Sequence, residues 1–372
     1  MFDYEILRLV CWGLLGLYWV GFVLGGGLEL GVSLLWPFLR ASETQRRVLA
    51  ARLAPLSAGN QAWLAVCVVV LFLGWPTVYA AVFASFQQLL LLILLALLVR
   101  PCGFYFRSAI QRPELLIYWD KALFISGLLP AALLGLLVGN LLKGVAFHLS
   151  SDMHIAFLGD FRGLFNPFSL LVSATCVMLL AWRGALYLQA SGDLLAERGK
   201  DLAMPAGIGF LILFGLAGLW ITHLEGYHVN TEIVPNGVSN PLTKFVKRGD
   251  GLWLDNYEHE PALWTVPILA FTSGIAAVVL AKMGRGYAAL LASAVAAVMV
   301  VLTMGASMFP FLAPSNISLN SSLTIWDASA SAVTLNAMLW TVGFGLPVMA
   351  LVSRRLFRFA RGSGESEETT LP

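Results

Sequence analysis

Glu29 stands within Gly25-Gly26-Gly27-Leu28-Glu29-Leu30-Gly31, and from Ile6 to Leu39 the only other charge is Arg8. At about 1.5 Å of rise per helical residue it lies roughly 15 Å from Arg40, inside the hydrocarbon of a bilayer. An ionised carboxylate at that depth is costly unless a partner, a water path or protonation relieves it, so it is a functional candidate. The glycines let another backbone or water approach it closely. Two roles follow from the same cost of burial and stay open: proton transfer, or an interhelical hydrogen bond that holds a bundle together.

A second polar cluster is His223, Glu225, Gly226, Tyr227 and His228. Glu225 is expected at the C-terminal end of a span, where the helix dipole disfavours a carboxylate, so another group is expected to stabilise its charge or its proton, and either neighbouring imidazole could. Three metal ligands so closely spaced would need the helix to unwind, and a solvated helix end is the simpler reading. Arg100-Pro101 reads as an arginine anchoring the end of a span, and Arg100 is also a candidate for a lipid or quinone headgroup. Trp119-Asp120 and Trp326-Asp327 read as interfacial indoles beside helix-capping carboxylates, and Asn166-Pro167 as a capping amide before a proline at the first helical position.

These groups must be positioned by membrane helices. Of 372 residues 59% are hydrophobic and 12% charged, with mean hydropathy +0.80; no soluble domain carries such a surface. Apolar runs near 6–39, 53–74, 77–99, 119–142, 166–187, 203–223, 262–281, 286–308 and 333–352 predict an all-α polytopic bundle of eight to nine spans. The second is the least apolar at its start, where Ser57, Gly59, Asn60 and Gln61 suggest a protein-lined or wet region. All 23 lysines and arginines except Arg8, Lys143, Arg162, Lys244, Lys247 and Arg248 fall on one side of this arrangement. That side is expected to be cytoplasmic, with the N-terminus outside and the C-terminus inside.

Residues 1–361 thus form a transmembrane helical domain with an outside loop at 224–261, whose turn signals argue against a continuous helix. The polar, acidic segment 362–372 is expected to be a disordered cytoplasmic tail. The first run is too long, and lacks the basic flank, for a cleaved signal, so the first helix is expected to be retained.

Several classes lose support. A net charge of +2 gives no footing for nucleic-acid binding. Cys11, Cys67, Cys102 and Cys176 are scattered through apolar segments and form neither a disulfide frame nor a zinc site. No phosphate loop or dinucleotide fingerprint is present. Only five histidines exist, His148, His154, His223, His228 and His259, and none is expected at mid-membrane, so a bis-histidine haem site cannot be built. Met178 and Met304 read as packing. If the function is redox, this chain is the partner of the haem carrier.

The motifs in order resemble subunit II of the bacterial cytochrome bd-type quinol oxidases. The resemblance covers most of the chain: Asp3-Tyr4-Glu5 with Leu7-Arg8, Glu29-Leu30-Gly31, Gly59-Asn60-Gln61-Ala62-Trp63-Leu64, Trp75-Pro76, and Arg100-Pro101 with Gly103-Phe104. It continues through Gly139-Asn140-Leu141-Leu142-Lys143-Gly144-Val145, Asn166-Pro167-Phe168, Glu225-Gly226-Tyr227, Ser239-Asn240-Pro241-Leu242, Phe309-Pro310-Phe311, and Ser322-Leu323-Thr324-Ile325-Trp326-Asp327-Ala328. It implies a multi-pass subunit of the bacterial plasma membrane, paired with a subunit I that carries haem b, haem d and the quinol site. The complex oxidises quinol, reduces dioxygen to water and builds a proton gradient. This chain would hold no haem itself, brace subunit I, and contribute proton or oxygen access through Glu29, Asn60, Gln61, Trp63 and Glu225. The resemblance leaves room for a structural quinone and a small single-helix accessory subunit.

Two departures from the family pattern bear on the proton path. The usual Asp-Gly-Phe-Asp reads Gly26-Gly27-Leu28-Glu29, and the usual histidine, apolar or aromatic residue and acid before Gly59 are replaced by Ser57 and Ala58. Without an acid at Ala58, either another route serves or subunit I does that work alone. A solute or ion transporter would also explain Glu29 and Glu225, though no inverted repeat supports it; haem bands in the spectrum of the purified complex separate the two. An assembly scaffold without turnover is a third reading.

Overall fold

A computed structural model of the chain describes residues 3–192 and 195–368. The order is α1 (Tyr4–Leu35), α2 (Glu43–Gly74), α3 (Pro76–Ser85), α4 (Gln87–Ala109), α5 (Pro113–Lys143), β1 (Phe147–Leu149), β2 (Ile155–Phe157), α6 (Pro167–Ser191) and α7 (Ala196–Ile221). It continues with β3 (Glu225–Val229), β4 (Val246–Asp250), α8 (Asp255–His259), α9 (Thr265–Lys282), α10 (Gly286–Met308), β5 (Phe311–Ala313), β6 (Leu323–Thr324) and α11 (Ala332–Glu368). Among the described residues 9 helices are long and apolar enough to cross a membrane, all except α3 and α8. Of the expected tail, the described part continues α11, and residues 369–372 lie outside the described residues.

The expected third span, 77–99, is corrected. The apolar run breaks at Phe86, whose φ of −112° and ψ of 19° leave the helical region. α3, with 10 residues, is too short to span, and α4 crosses instead. No charge marks the joint, so hydropathy alone reads straight through it. The shift matters for Arg100, which moves from a span end to roughly 13 Å of helix before Ala109.

α1 is the central helix, packed against α2, α5, α6, α10 and α11. Its contact with α6 is the tightest kind: a Cβ on Gly31 would stand 2.0 Å from the Leu180 carbonyl oxygen, and one on Gly184 would stand 2.2 Å from the Gly31 carbonyl carbon. Small residues facing each other bring the two backbones together, as is common between membrane helices.

The helix starts divide the capping expectations. Asn166 Oδ1 accepts from the Ser169 amide at 3.0 Å, capping α6 as expected. Asp120, expected as a cap, is inside α5, which starts at Pro113. Asp327 precedes α11 and accepts instead from the Thr324 amide at 3.0 Å, closing a turn.

Three antiparallel hairpins, β1–β2, β3–β4 and β5–β6, form a cap over one end of the bundle. Trp253 Nε1 donates to the Leu142 carbonyl at 2.9 Å, and the Tyr227 hydroxyl to the Lys143 carbonyl at 3.2 Å, so the end of α5 is held by side chains of the 224–261 loop. Burial pushes the Tyr227 phenol up to about 12. Gly144 makes this possible: its φ is +91°, and a Cβ would lie 2.0 Å from the Tyr227 oxygen. Arg8, at the start of α1, donates to Pro235, Gly237, Ser239 and Ser329, tying the first span to the cap.

Candidate functional site

Glu29 lies 1% exposed in the bundle interior, and its Oε1 accepts a hydrogen bond from Nη2 of the wholly buried Arg100 at 3.0 Å. Arg100 Nε donates to the Ser57 hydroxyl at 3.2 Å. Three helices therefore meet at one ion pair: α1 brings the carboxylate, α4 the guanidinium and α2 the hydroxyl. Arg100 therefore stands in the bundle interior as the counter-ion of Glu29 and not at a span end, because the true span begins ten residues later than hydropathy places it.

The faces of α1 and α2 explain the site. Gly21, Gly25 and Glu29 recur every four residues along one side of α1. Opposite them on α2, running the other way, are Trp63, Asn60 and Ser57. A Cβ at Gly21 would stand 2.2 Å from the Trp63 ring, and one at Gly25 would stand 2.7 Å from Asn60 Oδ1. The glycines leave the space that these side chains occupy. Asn60 is 1% exposed, and among the described residues neither its Oδ1 nor its Nδ2 has a hydrogen-bond partner; the same holds for Glu29 Oε2 and Arg100 Nη1. Such unsatisfied polar atoms are costly in a low-dielectric interior, and they are suited to exchanging hydrogen bonds with water or a moving proton.

Gln61 and Trp63 are engaged elsewhere. Gln61 Nε2 donates to the Leu97 carbonyl at 2.7 Å. Pro101, four residues on, has no N–H to offer that carbonyl, and the glutamine replaces the missing helical bond. Trp63 Nε1 donates to Ser353 Oγ at 2.9 Å, fixing α2 to α11. Ala58 is exposed on the opposite side of α2 from Ser57 and Asn60, so Glu29 does not take the place of an acid at that position.

Glu225 stands apart from this centre. It opens β3, not the end of a helix, and its carboxylate pairs with Arg248 at 2.6 Å; among the described residues it forms no ion pair with an imidazole. His228 pairs instead with Asp255 at 2.9 Å. His148, His154, His223 and His259 are exposed, all outside the spans. Among the described residues no group of three His, Cys, Asp or Glu could hold a metal ion.

Two polar centres escaped the sequence reading. Asp120 accepts from Trp36 Nε1 and Arg107 Nε, each at 2.6 Å, and from Arg46 at 3.1 Å, while Arg107 also grips Glu43 at 2.7 and 2.8 Å. This network knots the ends of α1, α2, α4 and α5 away from the cap. Arg183, 2% exposed in α6, donates to the Leu24 carbonyl at 3.1 Å and the Ser293 carbonyl at 3.2 Å. Its signal was present, an arginine within an apolar run, but proximity to a span end disguised it as an anchor.

The sequence model of the family "Cytochrome bd terminal oxidase subunit II" matches residues 7–359. The chain belongs to that family. It is 37% identical over 354 residues to cytochrome bd-I ubiquinol oxidase subunit 2 of Escherichia coli (strain K12), covering 94% of this chain and 93% of that one. It is 36% identical over 340 residues to the probable cytochrome oxidase subunit 2 of Haemophilus influenzae, covering 91% and 90%. The bd oxidase structure from Geobacillus thermodenitrificans shares the fold, with a TM-score of 0.64 at 15% identity over 95% of this chain and 98% of that one. Membership of this family, with nine apolar helices among the described residues, makes the chain a multi-pass membrane subunit of an oxidase and leaves the transporter reading without support.

Proposed function

We propose that this chain is the haem-free subunit of a quinol:oxygen oxidoreductase, in which subunit I carries haem b, haem d and the quinol site, and that Glu29 handles protons inside the bundle. The complex takes electrons from quinol and reduces dioxygen to water. The placement of every histidine outside the spans supports an entirely partner-held haem set, since mid-membrane haem needs an axial ligand at that depth.

The observation that carries the proton role is the asymmetry of the Glu29 carboxylate. Arg100 holds Oε1, which fixes the group in place, while among the described residues Oε2 has no hydrogen-bond partner, and the unpartnered Asn60 amide stands on the facing side of α2. A group fixed at one oxygen and unbonded at the other can accept a proton there and return it without changing its position. Gln61 and Trp63 support the site as positioning residues. The excess of lysine and arginine on one side supports a cytoplasmic C-terminus and an outside cap. The test is a spectrum and an oxygen-uptake assay on the purified two-subunit complex: haem bands with quinol-dependent uptake are expected, and their absence from an intact complex overturns the assignment.

A further inference from the structure

Where α5 ends against the cap, a cavity of about 130 Å³ opens between the β1–β2 hairpin and the α3–α4 joint. Its floor includes the fully buried Phe86 and the amide of Asn140. Asn140 Nδ2 donates to the Leu136 and Leu164 carbonyls, each at 2.8 Å, and its Oδ1 accepts from Asn166 at 3.0 Å, so the polar floor is a fixed frame with its amide bonds already made. The rim carries two opposite charges, Lys143 and Asp160. Both are exposed, and among the described residues neither forms an ion pair with the other or with any other residue, although both face the same cavity.

Opposite charges lining one small cavity match a ligand that carries both signs. We propose that this cavity binds the headgroup of a zwitterionic phospholipid, its ammonium against Asp160 and its phosphate against Lys143. Position favours this class of ligand. Lys143 is the last residue of an apolar span, the level at which headgroups lie. Leu158 and Phe165, each within two residues of a cavity-lining position, are 59% and 44% exposed and offer apolar surface for the acyl chains. A cavity of about 130 Å³ admits an ethanolamine end and leaves the glycerol and tails outside. A free zwitterionic solute such as an amino acid shares the recognition chemistry but has no use for the flanking apolar surface.

Gly163 provides a test that spares the frame. It lines the cavity, a Cβ there meets nothing within 4 Å, and its φ is an ordinary one, so Gly163→Leu can obstruct the mouth without displacing the fold. The intact two-subunit complex, purified in detergent, is analysed for phosphatidylethanolamine and phosphatidylglycerol by mass spectrometry, as wild type, as Gly163→Leu and as Lys143→Ala/Asp160→Ala. Loss of about one phosphatidylethanolamine per complex in both variants, with phosphatidylglycerol unchanged, is expected. In a second arm the delipidated complex is titrated with glycerophosphoethanolamine or with glycine and its melting temperature is followed. A rise with the former in wild type but not in Gly163→Leu supports the lipid headgroup; a rise with glycine alone, at equal lipid content, assigns the cavity to a free zwitterion. Equal lipid content in all three proteins with no response to either compound overturns the proposal.

Discussion

Glu29 Oε1 and Arg100 Nη2 meet at 3.0 Å in the bundle interior, both residues essentially without exposure. An ion pair so enclosed contributes little net stability, because desolvating both charges offsets most of their attraction. Removing one partner is different, since the other charge is then left bare. The pair therefore binds α1 to α4 through their mutual dependence, with Ser57 of α2 completing the contact.

From this follows a prediction about Arg100. Arg100→Met should destabilise the subunit by on the order of 3–5 kcal/mol and lower the amount of assembled complex in membranes. The double variant Arg100→Met/Glu29→Leu, which removes both charges, should recover much of that assembly. Wild-type levels of the single variant would show that the pair is dispensable.

The α1–α6 contact gives a second prediction. Gly31→Val places side-chain atoms against backbone that cannot move aside, 2.0 Å from the Leu180 oxygen at its Cβ alone. It should abolish assembly, read as loss of the complex on a native gel. Gly13→Ala, where nothing lies within 4 Å, should be silent. Equal behaviour of the two would contradict the packing described here.

Most of the bundle was legible in the sequence because the membrane demands long apolar runs, and nine of them leave little freedom. The α3–α4 joint was not, since Phe86 breaks a helix without adding polarity. Glu29 was legible as an isolated carboxylate at depth, and the glycines beside it as a close approach. Its partner was missed through that same joint: placing the third span ten residues early put Arg100 at the surface. Asp120 was misread because a carboxylate beside tryptophan looks the same whether it caps a helix or receives two arginines from neighbouring helices. Glu225 was taken for a helix end because a five-residue strand directly after a span carries no hydropathy signal of its own.

Orientation can be checked at the loop tip. Val238 is 95% exposed within the 224–261 cap. In a Cys102→Ser background, Val238→Cys should react with a membrane-impermeant maleimide added to the outside of intact cells. Reaction only from inverted vesicles would reverse the proposed topology.

The haem assignment is tested on the chain by itself. Purified without subunit I, it should carry less than a stoichiometric amount of haem, because His148, His154, His223, His228 and His259 all lie outside the spans. A reproducible low-spin haem spectrum at one haem per chain would contradict this.

The most direct test of the central claim is the rate of quinol-dependent oxygen reduction by Glu29→Gln, measured at wild-type haem content. Glutamine keeps the shape and its amide oxygen can still accept from Arg100, but it cannot take up a proton. If Oε2 of Glu29 handles protons, assembly and haem spectra should stay close to wild type while turnover falls by about tenfold or more. Unchanged turnover in a fully haem-loaded Glu29→Gln complex would contradict the account and leave Glu29 as a structural tie between α1 and α4.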